Sequence, residues 1–467
     1  MKLRPWLALG IGVKRWLAIA FVGMVLLALA AAHVIRQATR DVEPTGVGGA
    51  LLDLVTLQAL PYPLRGLVAG FVGVALVALG TARVIRALTD PLRADDRDRP
   101  LVELIYQKRF LARGPRIVAI GGGTGLSALL RGLKEHSSNL TAVVTVADDG
   151  GSSGVLRDAF GIPAVGDLRN CIAALADNET LMADLLQYRF PADGAASAAR
   201  PSIAARPGGA IDALSGGSGQ VPDGPSLAGH PMGNLLLAAL TALEGGDFEE
   251  GVRRMNRVLA VRGHVVPVSP TPIVLHAALR DGRELAGQSI IMRAEGIDRV
   301  WIEPGDVRPT DEALTAIATA DLIVIGPGSL YTSLLPSLLV GPLAEAIAAA
   351  PGLRVYACNV ATQLGETSGY DLADHVEALA RHTRAGLLDI VLANNRFDAR
   401  IPEGWPARPV HLRWPPDVAG APRLVLDDVV DEANAHRHDP AKLASALIGL
   451  VERDQATRRR SGAVRTA

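Results

Sequence analysis

The stretch R-I-V-A-I-G-G-G-T-G-L-S-A-L-L-R-G-L, residues 116–133, decides the fold of this chain. Its first residues, Arg116 to Ile120, are rich in β-branched side chains and predict a buried parallel strand. A loop with little side-chain bulk follows, and from Leu126 the apolar residues recur at the spacing of a helix packed on a sheet. Strand, loop and helix start predict an anion site, because free backbone N–H groups and the positive end of the helix dipole point at the ligand. The loop residues are Gly121, Gly122, Gly123, Thr124 and Gly125.

A second predicted strand, Thr141 to Val146, leads into A-D-D-G-G-S-S-G, residues 147–154. Asp148 and Asp149 follow its carboxyl end, where open α/β sheets bind their ligands. There they are candidates to bind Mg²⁺, to accept hydrogen bonds from ribose or amide groups, or to act as a general base. The alternative is an Asx-turn that caps a helix. The following residues would add a nest of N–H groups for an anion: Gly151, Ser152 and Ser153.

Two more polar clusters open predicted helices. In V-G-D-L-R-N, residues 165–170, Asp167 is predicted as a helix N-cap. Arg169, beside Asn170, is either a phosphate ligand or a partner in an ion pair within the site. In H-P-M-G-N, residues 230–234, the candidates are His230, Gly233 and Asn234. A lone histidine in such a position either contacts a ligand or is a hydrogen-bonded core residue.

A second strand–glycine loop–helix junction is predicted at D-L-I-V-I-G-P-G-S-L-Y, residues 321–331. Two anion-binding helix starts in one domain suit a ligand with a diphosphate. Hydride transfer with NAD is disfavoured, because Leu126 occupies the place of the third glycine of the dinucleotide fingerprint. A Walker lysine does not follow Gly125 either. The candidate residues of this second loop are Gly326, Gly328, Ser329, Leu330 and Tyr331.

From residue 116 to 453 strands and helices alternate, which predicts an α/β domain with a mostly parallel sheet flanked by helices. A small β-rich insertion is predicted to start at Val265 to Thr271, with short strands at Ile273 to Leu279, Glu284 to Gly287 and Arg299 to Glu303. Later elements are strands at Asp389 to Ala393 and Val410 to Arg413, a helix at Pro440 to Val451 and a frayed basic tail, 454–467. Residues 191–228 are rich in Ala, Gly, Ser and Pro and are predicted to be a disordered insertion.

The N-terminal region predicts a membrane hairpin. Trp16 to Val34 and Leu67 to Ala82 are uncharged apolar runs, extended to transmembrane helices at 15–35 and 64–86. Basic residues cluster before the first run and after the second, so the positive-inside rule places both termini in the cytoplasm. Residues 1–14 are then cytosolic, 36–63 an external loop and 87–115 a juxtamembrane linker. The first run also reads as a signal peptide, but the second would still keep the large domain cytosolic.

Composition excludes several classes of protein. The formal net charge is −1, so no overall positive field invites nucleic acid. Two cysteines, Cys171 and Cys358, provide neither a disulfide framework nor a CxxC metal motif. No His/Cys cluster with zinc-ligand spacing is present. At 467 residues the chain has room for one large domain or two.

Taken together, the motifs resemble the gluconeogenesis factor (YvcK) family of the CofD-like superfamily, which includes 2-phospho-L-lactate transferase. The resemblance covers roughly residues 116–395 without the 191–228 segment. It rests on I-G-G-G-T-G-L-S, V-T-V-A-D-D-G-G-S-S-G, G-D-L-R-N, H-P-M-G-N-L-L-L, V-R-G, I-G-P-G-S-L-Y-T-S-L-L-P and T-Q-L-G-E-T. It implies a modified Rossmann-like sheet, and for this branch UDP-sugar binding, growth on gluconeogenic carbon sources and regulation of cell shape and cell-wall synthesis.

The leading hypothesis is a membrane-tethered cytosolic factor that binds a UDP-sugar, with the two glycine loops holding the diphosphate. Arg169 or Arg262 would offset its charge. A first alternative is a transferase of the 2-phospho-L-lactate type, for which Asp148 or Asp149 would bind Mg²⁺. A second is a scaffold that recruits cell-wall synthesis proteins to the membrane through residues 15–86. The leucine-rich helices would suit a homodimer.

Overall fold

The computed structural model describes residues 110–176, 179–191, 227–384, 386–399, 407–414 and 421–465, with positions 24, 25, 28 and 61. The chain divides into two compact units, Met1–Phe110 and Leu111–Ala467, and the elements below belong to the second. Apart from positions 24, 25 and 28, the predicted membrane helices lie outside the described residues, as do most of the linker and most of the 191–228 segment. In the described part, no single helix has the length and apolar composition of a membrane span. One pair bent by 77°, Leu330–Leu338 with Leu343–Ala349, meets that test jointly.

Ten strands are present in the described residues. They are β1 (Ile117–Gly121), β2 (Leu140–Val144), β3 (His264–Pro267), β4 (Val274–Leu279), β5 (Glu284–Ala286), β6 (Ile297–Glu303), β7 (Leu322–Ile325), β8 (Leu353–Ala357), β9 (Ile390–Asn394) and β10 (Arg423–Asp427). Seven of them form a parallel sheet in the order β10-β9-β8-β7-β1-β2-β3. Every residue of β1 and β7 is buried. Both faces of these strands are covered, which explains their unbroken apolar sequence.

Twelve helices, with one π-helical turn, surround or connect the strands in the described residues. They are α1 (Gly123–Leu133), α2 (Gly151–Phe160), α3 (Gly166–Leu175), α4 (Glu179–Gln187), α5 (Met232–Leu243), α6 (Phe248–Val258), α7 (Gln288–Ile291), α8 (Asp311–Thr319), the π-helical turn Leu330–Leu334 continued by α9 (Leu335–Leu338), α10 (Leu343–Ala349), α11 (Leu372–His382) and α12 (Pro440–Arg465). The predicted α/β architecture with a mostly parallel sheet is therefore confirmed.

The β-rich insertion is smaller than predicted. Strands β4, β5 and β6 form a three-stranded antiparallel sheet in the order β5-β4-β6. The segment from Val265 was predicted to open this insertion, which is wrong. It forms β3, whose residues pair with β2 in the main sheet, so β3 is an edge strand of that sheet.

Two predictions near the C-terminus are also wrong. Val410 to Arg413 is not a strand, and its neighbour Pro409 makes only an isolated bridge with Ala361. The last strand is β10, which pairs with β9 along its whole length. The final helix does not end at Val451, since α12 continues through the predicted frayed tail to Arg465.

Strand order locates the ligand edge of the main sheet. From β1 the chain moves to β2 and β3 on one side, then returns to β7 on the other side of β1 and continues outward to β10. The direction of winding therefore reverses between β1 and β7. In open α/β sheets, ligands bind beyond the carboxyl ends of the strands at such a switch point. The loops that follow β1 and β7 are the two predicted glycine loops.

Candidate functional site

The two glycine loops pack directly against each other. A Cβ atom on Gly125 would lie 2.7 Å from the backbone oxygen of Pro327, so only glycine allows this approach. Gly123 and Gly326 have φ angles of +67° and +80°, a region that glycine alone visits freely. The structure thus brings together the two loops that the sequence predicted as a pair.

Asn359, at the end of β8, holds the second loop in place. Its Nδ2 donates to the Gly328 carbonyl at 2.9 Å, and its Oδ1 accepts from the Gly328 N–H at 3.2 Å. Gln363 Nε2 donates to the Ser329 hydroxyl at 2.7 Å. These bonds fix the backbone beside Ser329, so the loop is preorganised by two amide side chains from the next strand.

Asp167 lies under the first loop and is not the N-cap that the sequence predicted. The N-cap of α3 is Val165, without a side-chain cap bond. The Asp167 carboxylate instead interacts with the backbone N–H of Gly123. A Cβ on Gly122 would lie 2.4 Å from Asp167 Oδ2, so this glycine makes room for the carboxylate. Burial, followed by the neighbouring Asp148, raises the pKa of Asp167 to about 6.

Glu366 lies against the second loop as Asp167 lies against the first. It was not among the residues predicted from the sequence. Its buried carboxylate accepts the Tyr331 N–H at 3.0 Å and the Thr332 hydroxyl at 3.2 Å, and it also interacts with Ser329. Burial raises the pKa of Glu366 to about 7, although these hydrogen bonds act to lower it. Only its position in the motif T-Q-L-G-E-T, residues 362–367, could have indicated a role for Glu366. This helix start is therefore already bound to an anionic group of the chain itself.

Leu330 and Tyr331 do not present side chains to the loops. Leu330 is fully buried in the core, and Tyr331 is buried with its hydroxyl 2.8 Å from that of Tyr370. Because the Tyr331 N–H is bonded to Glu366, neither residue offers the ligand contact that was predicted. The π-helical turn here serves packing, and the loop itself supplies the exposed backbone.

Asp148 and Asp149 point in different directions. Asp148 Oδ1 accepts the Gly150 N–H at 2.9 Å in an Asx-turn, and its charge reaches Asp167. Asp149 Oδ1 accepts the Ser289 N–H at 2.8 Å, which ties the start of α7 to the main domain. The Asx-turn alternative thus holds for Asp148, and Asp149 has a structural role at the insertion.

This arrangement decides which residues fit Mg²⁺. No group of three or more metal-binding side chains occurs in the described residues. A magnesium ion is commonly held by one or two carboxylates plus the phosphates of its ligand. Asp148 and Asp167, close enough for one to raise the pKa of the other, fit that role. The pair Asp148 and Asp149 does not, because Asp149 is committed to Ser289.

A hydrogen-bonded network joins candidates from three separate stretches. Ser152 Oγ lies 2.7 Å from His230 Nδ1 and accepts from Asn234 Nδ2 at 3.0 Å. Asn234 Oδ1 accepts from Arg169 at 3.1 Å, and Arg169 also donates to Asn170 at 3.0 Å. The network therefore unites five of the polar side chains that the sequence predicted.

Arg169 is the buried cation of this network, only 6% exposed. A Cβ on Gly233 would lie 2.7 Å from its Cγ, so Gly233 leaves room for the arginine stem. Burial, followed by the nearby Arg189, lowers the pKa of Arg169 to about 10. Its Nε has no hydrogen-bond partner among the described residues. A buried guanidinium with an unused donor is costly unless a ligand satisfies it.

The chain ends around the 191–228 segment explain how His230 reaches the network. Arg189 and Pro231 form an antiparallel bridge, and the Gly229 N–H donates to the Phe190 carbonyl at 2.8 Å. The described residues on either side of the segment are therefore held together, and this places His230 beside Ser152.

The remaining candidates lie at different depths. Arg262 is outside the site, because it precedes β3 at the amino edge of the sheet and faces Glu135 at 3.8 Å. Thr124 is exposed in the first turn of α1, while Ser153 is buried in the first turn of α2. Gly151, with a φ of +47°, is exposed at the start of α2.

Two clefts of the described chain lie away from the glycine loops. One of about 580 Å³ lies at the amino edge of the sheet, lined by Asp389, Arg423 and Arg453 among others. A second, of about 230 Å³, lies beside Tyr331 and Tyr370. Because strand order and the buried polar network both point to the carboxyl edge, the glycine loops are the better supported site.

Comparison with known proteins gives one consistent family. Residues 117–404 match the model of the family described as 2-phospho-L-lactate transferase CofD. The gluconeogenesis factor of Bacillus subtilis is 42% identical over 73% of this chain and 100% of its own length. A relative from Nostoc sp. is 40% identical over 95% of this chain and 91% of its own, so the match extends beyond the second unit. A crystal structure of a Bacillus halodurans protein has 40% identity and a TM-score of 0.60, covering 72% of this chain and 100% of that one.

Proposed function

The chain belongs to the CofD family and to its gluconeogenesis factors, and from that premise we propose that it binds a nucleotide sugar, a UDP-sugar, at the carboxyl edge of its sheet. The observation that carries the proposal is the packing of Gly125 against Pro327, which joins two glycine loops into one cradle. One loop alone would suit a single phosphate. Two adjacent loops at a switch point suit a diphosphate.

The residues around the cradle support a ligand with both charge and hydroxyl groups. Arg169 is buried and retains an unused Nε donor, which would offset phosphate charge. Asp148, which is half-buried, would accept from a sugar hydroxyl, and Asn234 would act indirectly by holding Arg169 and Ser152. Asp149 and Arg262 take no part, because the first holds α7 and the second lies at the opposite edge.

The biological role follows the family name. We propose that ligand binding couples carbon status on gluconeogenic substrates to cell shape and cell-wall synthesis, the role that the resemblance implies. We further propose that residues 15–86 tether the protein to the membrane, with the domain in the cytoplasm. These residues lie almost wholly outside the described part of the chain, so hydropathy and the distribution of basic residues support the tether.

A transferase of the 2-phospho-L-lactate type is the second candidate. The description of the matched family model favours it, and so does the closeness of Asp148 to Asp167. If Mg²⁺ is present, these two carboxylates would hold it, and the ion would neutralise charge on a phosphate group. Magnesium-dependent turnover of a nucleotide donor would then replace simple binding as the activity.

Titration calorimetry of the full-length protein with UDP-N-acetylglucosamine tests the proposal. We expect saturable binding that is weakened at least tenfold by Arg169→Ala, because one buried charged contact contributes about 1.5–3 kcal/mol. Arg262→Ala, an arginine at the opposite edge, is the matched control and should bind as wild type. Absence of binding, or equal losses in both variants, refutes the proposal. Turnover of the donor on adding Mg²⁺ would favour the transferase.

A further inference from the structure

Ser152 occupies a position that phosphate binding does not explain. Residues 150–154, G-G-S-S-G, open α2 and have the G-x-S-x-G spacing that α/β hydrolases use around a nucleophilic serine. Gly150 is the N-cap of α2, so Ser152 lies in the first turn of the helix and does not cap it. Its hydroxyl is bonded to His230 and Asn234 instead.

The hydrogen-bond partners of Ser152 indicate where its hydroxyl proton lies. Arg169 can only donate, so the Asn234 atom that faces it at 3.1 Å is the acceptor Oδ1. Asn234 Nδ2 therefore faces Ser152 and donates to Oγ at 3.0 Å. With the histidine protonated at Nε2, the tautomer on which the proposal relies, the hydroxyl proton is directed at His230 Nδ1, 2.7 Å away.

The surroundings suit a developing negative charge on Ser152. The serine lies in the first turn of α2, a ten-residue helix, at the positive end of its dipole. Asn234 Nδ2 already donates to the oxygen that would carry the charge. Arg169, more than nine-tenths buried, keeps a free Nε donor close to the same network. Ser152 is partly exposed, so an electrophile can reach it.

We propose that Ser152 is a nucleophile, with His230 as its general base, that attacks a phosphorus atom of the bound diphosphate. This inference rests on the proposed nucleotide-sugar ligand. The bond from Ser152 Oγ to phosphorus forms while the bond from phosphorus to the bridging oxygen breaks. The leaving phosphate monoester takes the electron pair, and the serine proton moves to His230 Nδ1.

Water completes the cycle. The proton on His230 first passes to the leaving phosphate monoester, which frees the base. Water then attacks the phosphorus of the serine phosphodiester, His230 accepts a proton from it, and that proton is returned to the serine oxygen as it leaves. The net reaction is hydrolysis of the diphosphate to two phosphate monoesters. Such covalent catalysis requires a nucleophile and a base within hydrogen-bond reach of each other. Ser152 and His230 meet this requirement, and Asn234 is the third side chain that orients the nucleophile.

The main experiment uses full-length protein and UDP-N-acetylglucosamine. Products are followed by chromatography, and acid-quenched protein is examined by peptide mass spectrometry for a phosphodiester on Ser152. We expect uridine monophosphate and sugar phosphate from wild type and a loss of at least about 100-fold in Ser152→Ala. Ser138→Ala is the matched control, since that serine precedes β2 at the opposite, amino edge of the sheet. It should turn over at the wild-type rate.

Calorimetry separates this inference from the binding proposal on which it rests. Binding of UDP-N-acetylglucosamine without hydrolysis overturns the inference and leaves the proposed function standing. Hydrolysis that survives Ser152→Ala also overturns it. Absence of binding removes the proposed function and, with it, the diphosphate as the electrophile.

A fluorophosphonate probe tests the activation of Ser152 directly. We expect labelling at Ser152 that falls about 100-fold in His230→Gln, because an unactivated serine hydroxyl is a poor nucleophile. Circular dichroism of the variant shows whether it is folded. Equal labelling of wild type and a folded His230→Gln protein would overturn the role of the histidine.

Discussion

Replacing Glu366 by glutamine tests whether the second glycine loop is held by a neutral or an ionised side chain. The pKa of this glutamate rises from 4.5 to about 7 on folding, first because of burial. Below 4.5 the group is protonated in both the folded and unfolded states. As the pH rises toward 7 the unfolded chain loses the proton and the folded chain keeps it, so stability falls. The loss is complete above the folded pKa.

The size of this loss follows from the two pKa values. Their difference, at about 1.4 kcal/mol per pKa unit, corresponds to about 3 kcal/mol at pH 8. Glutamine resembles the protonated form, since its oxygen still accepts the Tyr331 N–H. The variant should therefore match wild type at pH 4.5 and exceed its unfolding free energy by about 3 kcal/mol at pH 8.

Urea denaturation of both proteins at pH 4.5, 6, 7 and 8 measures this difference. Glu377→Gln is the control, because that glutamate is 69% exposed and paired with Arg381 on α11. Exposed ion pairs contribute roughly 0–1 kcal/mol, so the control should differ little from wild type at any pH in this range. If the unfolding free energies of Glu366→Gln and wild type differed by the same amount at pH 4.5 and pH 8, the conclusion that Glu366 is buried as a neutral carboxyl would be refuted.

Three further changes test the geometry of the cradle. Gly125→Ala places a methyl group 2.7 Å from the opposite loop, so it should lower the unfolding free energy by about 1–3 kcal/mol and weaken the binding of UDP-N-acetylglucosamine in calorimetry. Gly305→Ala is the control and should do neither, because its methyl group would lie 3.9 Å from the nearest atom. Asp167→Asn should remove a loss of stability of about 3 kcal/mol that wild type shows between pH 4 and pH 6 in urea titrations. Asp149→Ala removes the acceptor for Ser289 and should cost about 1–2 kcal/mol and speed amide exchange in α7 without changing β1.

Much of the fold was predictable because its centre is continuous in sequence. β1, α1 and β2 follow one another directly, and an unbroken apolar strand has to be covered on both faces. Edge strands carry no such signal. Val410 to Arg413 and Arg423–Asp427 look alike in sequence, and only the second finds a partner strand, β9. Pairing between distant segments decides such cases, and a local pattern does not contain it.

The same distinction applies to the site. Ser152, Arg169, His230 and Asn234 were predicted because each lies close to a helix start and within three residues of a glycine, and the sheet gathers such positions at one edge. Arg262 was misplaced because the strand after it was assigned to the insertion. As β3 belongs to the main sheet, a residue before it has to lie at the amino edge, beside Glu135.

The buried carboxylates change the meaning of the glycine loops. In proteins with the dinucleotide fingerprint, the N–H groups of the glycine loop are free to bind the pyrophosphate of the ligand. Here the first loop faces Asp167 and the second faces Glu366, with pKa values of about 6 and about 7. When protonated, each carboxyl can donate to a phosphate oxygen, and when ionised it competes with phosphate for the same N–H groups. If the cradle binds a diphosphate as proposed, the protonated pair would bind it best, and the negative charge of the ligand would raise both pKa values further. Binding would then take up protons near neutral pH, and the cradle would select its ligand by charge as well as by shape.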